Sequence, residues 1–270
     1  MAFAEVIIGP PGGGKTTYIL RKKEFLKNRN LYIVNLDPGN EILVGYHYDI
    51  RNFDTTKEYM KKYKTGPNLA VKEIINNFTN SFKEIFDEII KKCEDSYFLF
   101  DCPGQVEFFM TDSSLKRFIG ILMKQGIGLT VVNLVDSVFF VDKHALISTY
   151  LLTTISMILL EAPHITVISK CDNLKNYKLQ LKLSDIIMCR NLKELLNEKD
   201  TKALLYKNMI EVIENESLII FEILDYNNMD TLIYLQQIID KANGYIFDID
   251  YENYEFCNKI ISKEDFLEKY

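Results

Sequence analysis

Lys15 and Thr16 close the run Gly9-Pro10-Pro11-Gly12-Gly13-Gly14-Lys15-Thr16, whose spacing G-x-x-x-x-G-K-[ST] is that of a phosphate-binding loop. Gly12, Gly13 and Gly14 let successive backbone N–H groups curl around an oxyanion. Lys15 then reaches the terminal phosphates, Thr16 offers its hydroxyl to Mg²⁺, and Thr17 completes the nucleotide-binding set. The helix-like stretch Thr17 to Asn28 follows directly, so the positive end of a helix points at the same place.

Three further sets of residues extend this chemistry. Asp37, exposed where Pro38 stops an apolar run, can hold a Mg²⁺-bound water or orient an attacking one. Asp101 ends the apolar run Phe98-Leu99-Phe100 and fits the Mg²⁺-side carboxylate of a phosphate-loop NTPase. In the adjoining Cys102-Pro103-Gly104-Gln105, Gly104 can present its N–H to a γ-phosphate without side-chain obstruction. Gln105 is placed to order the nucleophilic water. Finally, Ser169-Lys170-Cys171-Asp172 supplies a carboxylate able to accept both N1–H and the N2 amino hydrogen of guanine. Adenine offers no matching pair of donors, so Asp172 selects GTP, with Ser169 where Asn or Thr is usual.

These groups need elements that bring them together. Strand-like runs recur at Glu5 to Ile8, Leu31 to Leu36, Tyr97 to Asp101, Leu129 to Val135, Ile165 to Ser169 and Leu218 to Ile223. Longer helical stretches separate them, which predicts an α/β fold: a mostly parallel phosphate-loop NTPase sheet with helices on both faces. The runs are almost continuously apolar, as strands buried on both sides should be. Ligand chemistry belongs at the carboxyl ends of such strands. There the sequence places Gly9, Asp37, Asp101, Asp136, and Lys170 with Asp172. Two insertions interrupt the alternation, one at about 42–69 and a lysine-interspersed helical one at 173–216. At 270 residues and 47% hydrophobic content, one domain spanning 1–270 accommodates all of this.

Composition narrows the classes. A net charge of −6 with scattered Lys and Arg argues against direct nucleic-acid binding. Only Arg21, Arg29, Arg51, Arg117 and Arg190 could supply a bidentate phosphate clamp. Cys93, Cys102, Cys171, Cys189 and Cys257 have no C-x-x-C spacing and no signal peptide precedes them, which suits a reduced cytosolic or nuclear compartment. His47, His144 and His164 stand apart and suggest no zinc site. Leu146 to Leu160 reads as a buried helix interrupted by Ser and Thr rather than a membrane span. The acidic tail after Tyr245 carries Phe247, Tyr251, Tyr254, Phe256 and Phe266, which argues for docking rather than disorder.

Together these residues resemble the GPN-loop GTPases, a dimeric family within the SIMIBI class of phosphate-loop proteins. The triplet Gly66-Pro67-Asn68 stands between Asp37 and Asp101, where the family places it. The likeness extends through Asn35-Leu36-Asp37-Pro38, Asp101 to Glu107, Leu134-Val135-Asp136-Ser137, Pro163-His164-Ile165 and Asp240-Lys241-Ala242-Asn243-Gly244-Tyr245. Pro10-Pro11 and the Lys-Ala-Asn-Gly-Tyr segment make it most like the second eukaryotic paralogue. Departures are Leu69-Ala70 in place of Gly-Gly, Gly13 for Ser, Gly39 for Ala, Phe108-Phe109-Met110-Thr111 without a histidine, and a divergent guanine-side loop near Ile223-Leu224.

The resemblance implies a dimer, homomeric or with a paralogue, in which the triplet approaches the other subunit's nucleotide and Asn68 nears the γ-phosphate or the attacking water. It implies GTP and GDP as ligands with Mg²⁺ held by Thr16, Asp37 and Asp101, no membrane, and RNA polymerase II assembly and nuclear import as the task. Asp37, Asn68, Asp101 and Gln105 form the catalytic set. Two alternatives remain at this level: a small-molecule or polynucleotide kinase, whose helical lid would need phosphate-binding arginines, and a scaffold that holds GTP without hydrolysing it.

Overall fold

The structure, a computed structural model, describes residues 1–41, 45–92, 95–105, 113–196, 202–216, 219–249, 251–259, 261–267 and 269–270. Its strands are β1 (Phe3–Ile8), β2 (Leu31–Asn35), β3 (Tyr48–Asp49), β4 (Tyr97–Asp101), β5 (Gly128–Asp136), β6 (His164–Ser169) and β7 (Phe221–Ile223). The helices are α1 (Lys15–Phe25), α2 (Thr56–Tyr63), α3 (Pro67–Lys92), α4 (Ser113–Lys124), α5 (Lys143–Leu160), α6 (Leu183–Ile187), α7 (Ala203–Glu216), α8 (Met229–Asn243), α9 (Tyr245–Asp248) and α10 (Glu264–Leu267). All seven strands form one parallel sheet in the order β3-β2-β4-β1-β5-β6-β7. Every residue of β1 and β4 is buried, because both faces of the sheet are covered. One layer packs Val71, Ile74 and Phe78 of α3 and Phe118 of α4 against β1 and β4; the other packs Tyr18 and Ile19 of α1 with Leu235 and Ile239 of α8.

Several elements differ from their sequence expectation. The segment 42–69 is not wholly outside the alternation, since Tyr48 and Asp49 add an edge strand to β2. Two residues of pairing are too few to leave a period-2 pattern. The triplet is not a free loop either. Gly66 precedes α3, Pro67 opens it, and the Ala70 N–H donates to Gly66 O (3.0 Å). Proline fits the first helical position because its missing N–H would have no partner there. Leu69 and Ala70, in place of two glycines, continue the helix that glycines would weaken, and Ala70 is buried. The last strand starts at Phe221, after Ile219 and Ile220; Leu218 lies outside the described residues.

The described residues of the segment 173–216 are helical in separate pieces: a 3-10 turn at Cys171–Asn176, α6, a second turn at Leu192–Leu195, then α7. Leu183, Ile186, Leu192 and Ile210 from these pieces share a cluster with Tyr150 and Phe221. The expectation that 146–160 is a buried helix holds for one face of α5. Leu146, Tyr150 and Thr153 are buried, whereas Leu152, Ile155, Ile158 and Leu159 are exposed. The aromatic tail docks on its own chain: Phe256 stacks on Phe25 (5.1 Å between centroids), Phe266 is buried, and Phe247 stays exposed. Cys102, Cys171 and Cys189 are buried free thiols; Cys93 lies outside the described residues.

A buried ionic network, not apparent in the sequence, fastens α1 to α8. Glu5, in the middle of β1, accepts from Lys22 Nζ (3.2 Å), Tyr18 Oη (2.6 Å) and Tyr97 Oη (2.9 Å). Arg29 forms a two-pronged pair with Asp240 (2.8 and 2.7 Å) and lies 4.0 Å from the centre of the Tyr245 ring. Asn243 Nδ2 donates to the same Tyr97 hydroxyl (3.1 Å). The Asp240 to Tyr245 segment therefore has a structural task, anchoring the end of α8 beneath the helix that starts at the phosphate loop.

Candidate nucleotide site

At the carboxyl ends of β1, β2 and β4 lies a cleft of about 860 Å³. Gly12, Gly14, Lys15, Thr16, Thr17, Asp37, Asp101, Gly104, Gln105 and Lys170 all line it. The loop after β1 crosses the sheet so closely that a Cβ on Gly9 would stand 2.2 Å from Leu134 O, and one on Gly13 2.8 Å from the same oxygen. Such contacts exclude any side chain at Gly9, where φ is also +141°. Gly14 then precedes α1 without a capping side chain, leaving the first N–H groups of the helix to face the cleft.

Lys15 Nζ donates to Gly9 O (3.0 Å) and Pro10 O (3.2 Å), which holds it over the loop. Burial lowers its pKa, and the neighbouring Asp101 and Asp37 carboxylates oppose that. Asp101 is buried at the end of β4, and burial lifts its carboxyl to about 6. Its Oδ2 accepts from Tyr46 Oη (2.7 Å) and Asn40 Nδ2 (3.4 Å), both of which lie outside the sequence motifs of the site. Asp37 is also raised by burial, while Gly39 N–H donates to its Oδ1 (2.8 Å). Asn35 fixes the turn, accepting from Asp37 N (3.0 Å) and donating to Asp49 Oδ1 (2.9 Å). The hydroxyl of Thr16 and the two carboxylates are hard oxygen donors, the set that suits Mg²⁺.

Arg51 is the arginine that the five candidates leave unassigned and the fold brings to the cleft. Asp49 holds its guanidinium through Nε (2.9 and 3.0 Å) and Nη2, and Nη1 donates to Asn40 O (2.7 Å). Only the pairing of β3 with β2 puts it there, so no local pattern could have shown it. Arg190, the one arginine of the helical insertion, is exposed and does not line the cleft.

The base-side motif is tied to the phosphate loop. Ser169 Oγ donates to Gly13 O (2.8 Å) and Lys170 Nζ to Gly12 O (2.7 Å) and Asp136 Oδ2 (2.5 Å). Lys170 adopts a left-handed conformation (φ 57°), which turns the chain into the 3-10 helix bearing the exposed Asp172. Asp172 and Asn68 do not line the cleft. Asn68 is exposed on the first turn of α3, although Pro67 and Val71 on either side of it do line the cleft. Val106, Glu107 and Phe108 to Thr111 lie outside the described residues.

A phosphate loop after the central strand, with two carboxylates and a Gly-Gln pair at neighbouring strand ends, defines a phosphate-loop NTPase. Residues 7–245 match a family model described as a conserved hypothetical ATP binding protein. GPN-loop GTPase 2 of Saccharomyces cerevisiae is 37% identical over 92% of this chain and 76% of its own. GPN-loop GTPase QQT1 of Arabidopsis thaliana is 34% identical over 98% of this chain and 93% of its own. The chain belongs to the GPN-loop GTPase family. Its fold is also that of PAB0955, a Pyrococcus abyssi GTPase crystallised in apo form, with a TM-score of 0.73 at 22% identity over 89% of this chain and 97% of that one.

Proposed function

We propose that this chain is a GTP-binding and GTP-hydrolysing switch that works as a dimer, with itself or a paralogue. The observation that carries the reading is the meeting of Lys15, Thr16, Asp37, Asp101, Gly104 and Gln105 in one cleft. Lys15 and the loop N–H groups neutralise charge on the β- and γ-phosphates. Thr16, Asp37 and Asp101 would hold Mg²⁺, which supplies charge neutralisation between those phosphates. Gly104 offers its N–H to the γ-phosphate, and Gln105 orders the water that attacks in line. Asn68, exposed at the start of α3, is available to a partner's site and less so to its own. Asp172 reads guanine, and the several relatives named GTPases support GTP over the ATP of the family description.

Because the γ-phosphate is contacted in one state only, hydrolysis changes the relative stability of the dimer's conformations. Resemblance to the family supports assembly and nuclear import of RNA polymerase II as the task, in a cytoplasmic protein that shuttles to the nucleus, without contact to membrane or nucleic acid. Phosphate release by the dimer, alone and with its co-purifying paralogue, tests the reading. Gln105→Ala and Asn68→Ala should each lower turnover at least about tenfold with GTP still bound. Absence of turnover in every preparation would leave a GTP-holding scaffold, and turnover of a phosphoryl acceptor in place of water would leave a kinase.

A further inference from the structure

The Ser169 to Asp172 motif is supported from an unexpected quarter. Residues 261–267 and 269–270 return along β7 and the turn that follows it. Lys263, itself buried, donates to Phe221 O (2.5 Å) and stands 2.9 Å from Glu222 Oε2. Phe266 is buried in the cluster beneath, edge-on to Tyr234 at 5.4 Å. Tyr270 Oη then donates to Asp225 Oδ2 at 2.6 Å.

Asp225 organises the turn that leads from β7 into α8. Its Oδ1 accepts from Asn227 N (2.8 Å), and its own N–H donates to Thr231 Oγ1 (3.1 Å). The same turn is bonded to the motif that ends in Asp172. Leu224 N–H donates to Ile168 O (2.9 Å), and Leu224 O accepts from Cys171 N–H (3.3 Å). A contact at Asp225 is therefore one residue from a backbone bond to the residue next to Asp172. Local sequence cannot account for this support, because Tyr270 meets Asp225 across 45 positions.

We infer that residues 261–267 and 269–270 are a strap that sets the guanine-binding side of the site, with Tyr270 as a positioning residue acting through the 224–228 turn on Asp172. The inference rests on the reading that Asp172 takes guanine. It assigns the strap to recognition of the base, not of the phosphates, which fall to the loop at Gly9 to Thr16.

The test uses the full chain and two probes, GDP and inorganic triphosphate, which carries no base. Tyr270→Phe keeps the packed ring and removes the donor. It should weaken GDP roughly threefold to tenfold, the range of one lost hydrogen bond, and leave triphosphate affinity unchanged. Asp225→Asn keeps a polar contact to Tyr270, its amide NH2 donating to the Tyr270 hydroxyl oxygen while its one oxygen accepts from Asn227 N–H, and should bind GDP more tightly than Tyr270→Phe does. Equal loss for both probes would make the strap a general support of the fold and overturn the inference, as would unchanged GDP binding. Asp172→Asn tests the underlying reading separately: if guanine keeps its advantage over xanthine in that variant, the base assignment fails whatever Tyr270→Phe does.

Discussion

Tyr46 Oη donates to Asp101 Oδ2 across 2.7 Å, joining a side chain from the region before β3 to the carboxylate at the end of β4. The bond holds one carboxylate oxygen and so fixes which way the other points. Tyr46→Phe should weaken Mg²⁺-dependent GDP binding by roughly tenfold, the effect of a lost hydrogen bond to a charged group. Binding measured in EDTA should not change. Equal affinities for variant and parent in Mg²⁺ would show that Asp101 needs no such support.

The pH dependence of stability follows from the same carboxylate. Burial raises folded Asp101 to about 6, above the 3.8 of an ordinary aspartate. Between those two values the native protein binds more protons than the unfolded chain, so this group makes stability fall as pH rises from about 4 to about 6. The contribution is on the order of 3 kcal/mol for the nucleotide-free protein. Asp101→Asn removes it, and denaturant midpoints for parent and variant, taken at pH 4.5 and 7, should diverge accordingly. Parallel pH profiles would contradict the burial argument.

Gly104 leaves little room for anything larger. A Cβ there would stand 2.8 Å from Lys15 Nζ and 3.3 Å from the backbone of Pro11. Gly104→Ala should displace the lysine and lower GTP affinity at least about tenfold relative to GDP, since the γ-phosphate depends on both groups. Competition binding with the two nucleotides measures the ratio, and an unaltered ratio would place the γ-phosphate elsewhere.

Arg29 and Asp240 are both buried, and each is the other's principal charge partner. Arg29→Ala leaves a carboxylate in the interior and should cost about 3–5 kcal/mol. Arg29→Lys should recover only part of this, because an ammonium cannot reproduce two parallel N–H donors. Urea denaturation of the three proteins gives the comparison; a loss below about 1 kcal/mol for the alanine variant would show that Tyr97, Gln236 and Tyr254, the remaining donors to Asp240, satisfy it.

Local sequence determined the phosphate loop, the acidic strand ends and six of the seven strands, because each is written in contiguous residues: glycines before Lys15, an apolar run before Asp37 or Asp101, alternation of runs and helices. Close backbone approach demands glycine, and strands buried on both faces demand unbroken apolar character, so these features leave a trace without any knowledge of neighbours. The three-dimensional structure decided what depends on partners distant in the chain. Arg51 reaches the cleft only when β3 pairs with β2, and Tyr46 and Asn40 reach Asp101 only across the sheet edge. Lys22, Glu5, Arg29 and Asp240 carry no local sign that packing removes their water and obliges them to pair. The strap at Tyr270 belongs to this second group, since a hydrogen bond records nothing in sequence beyond two polar residues that folding happens to bring within reach.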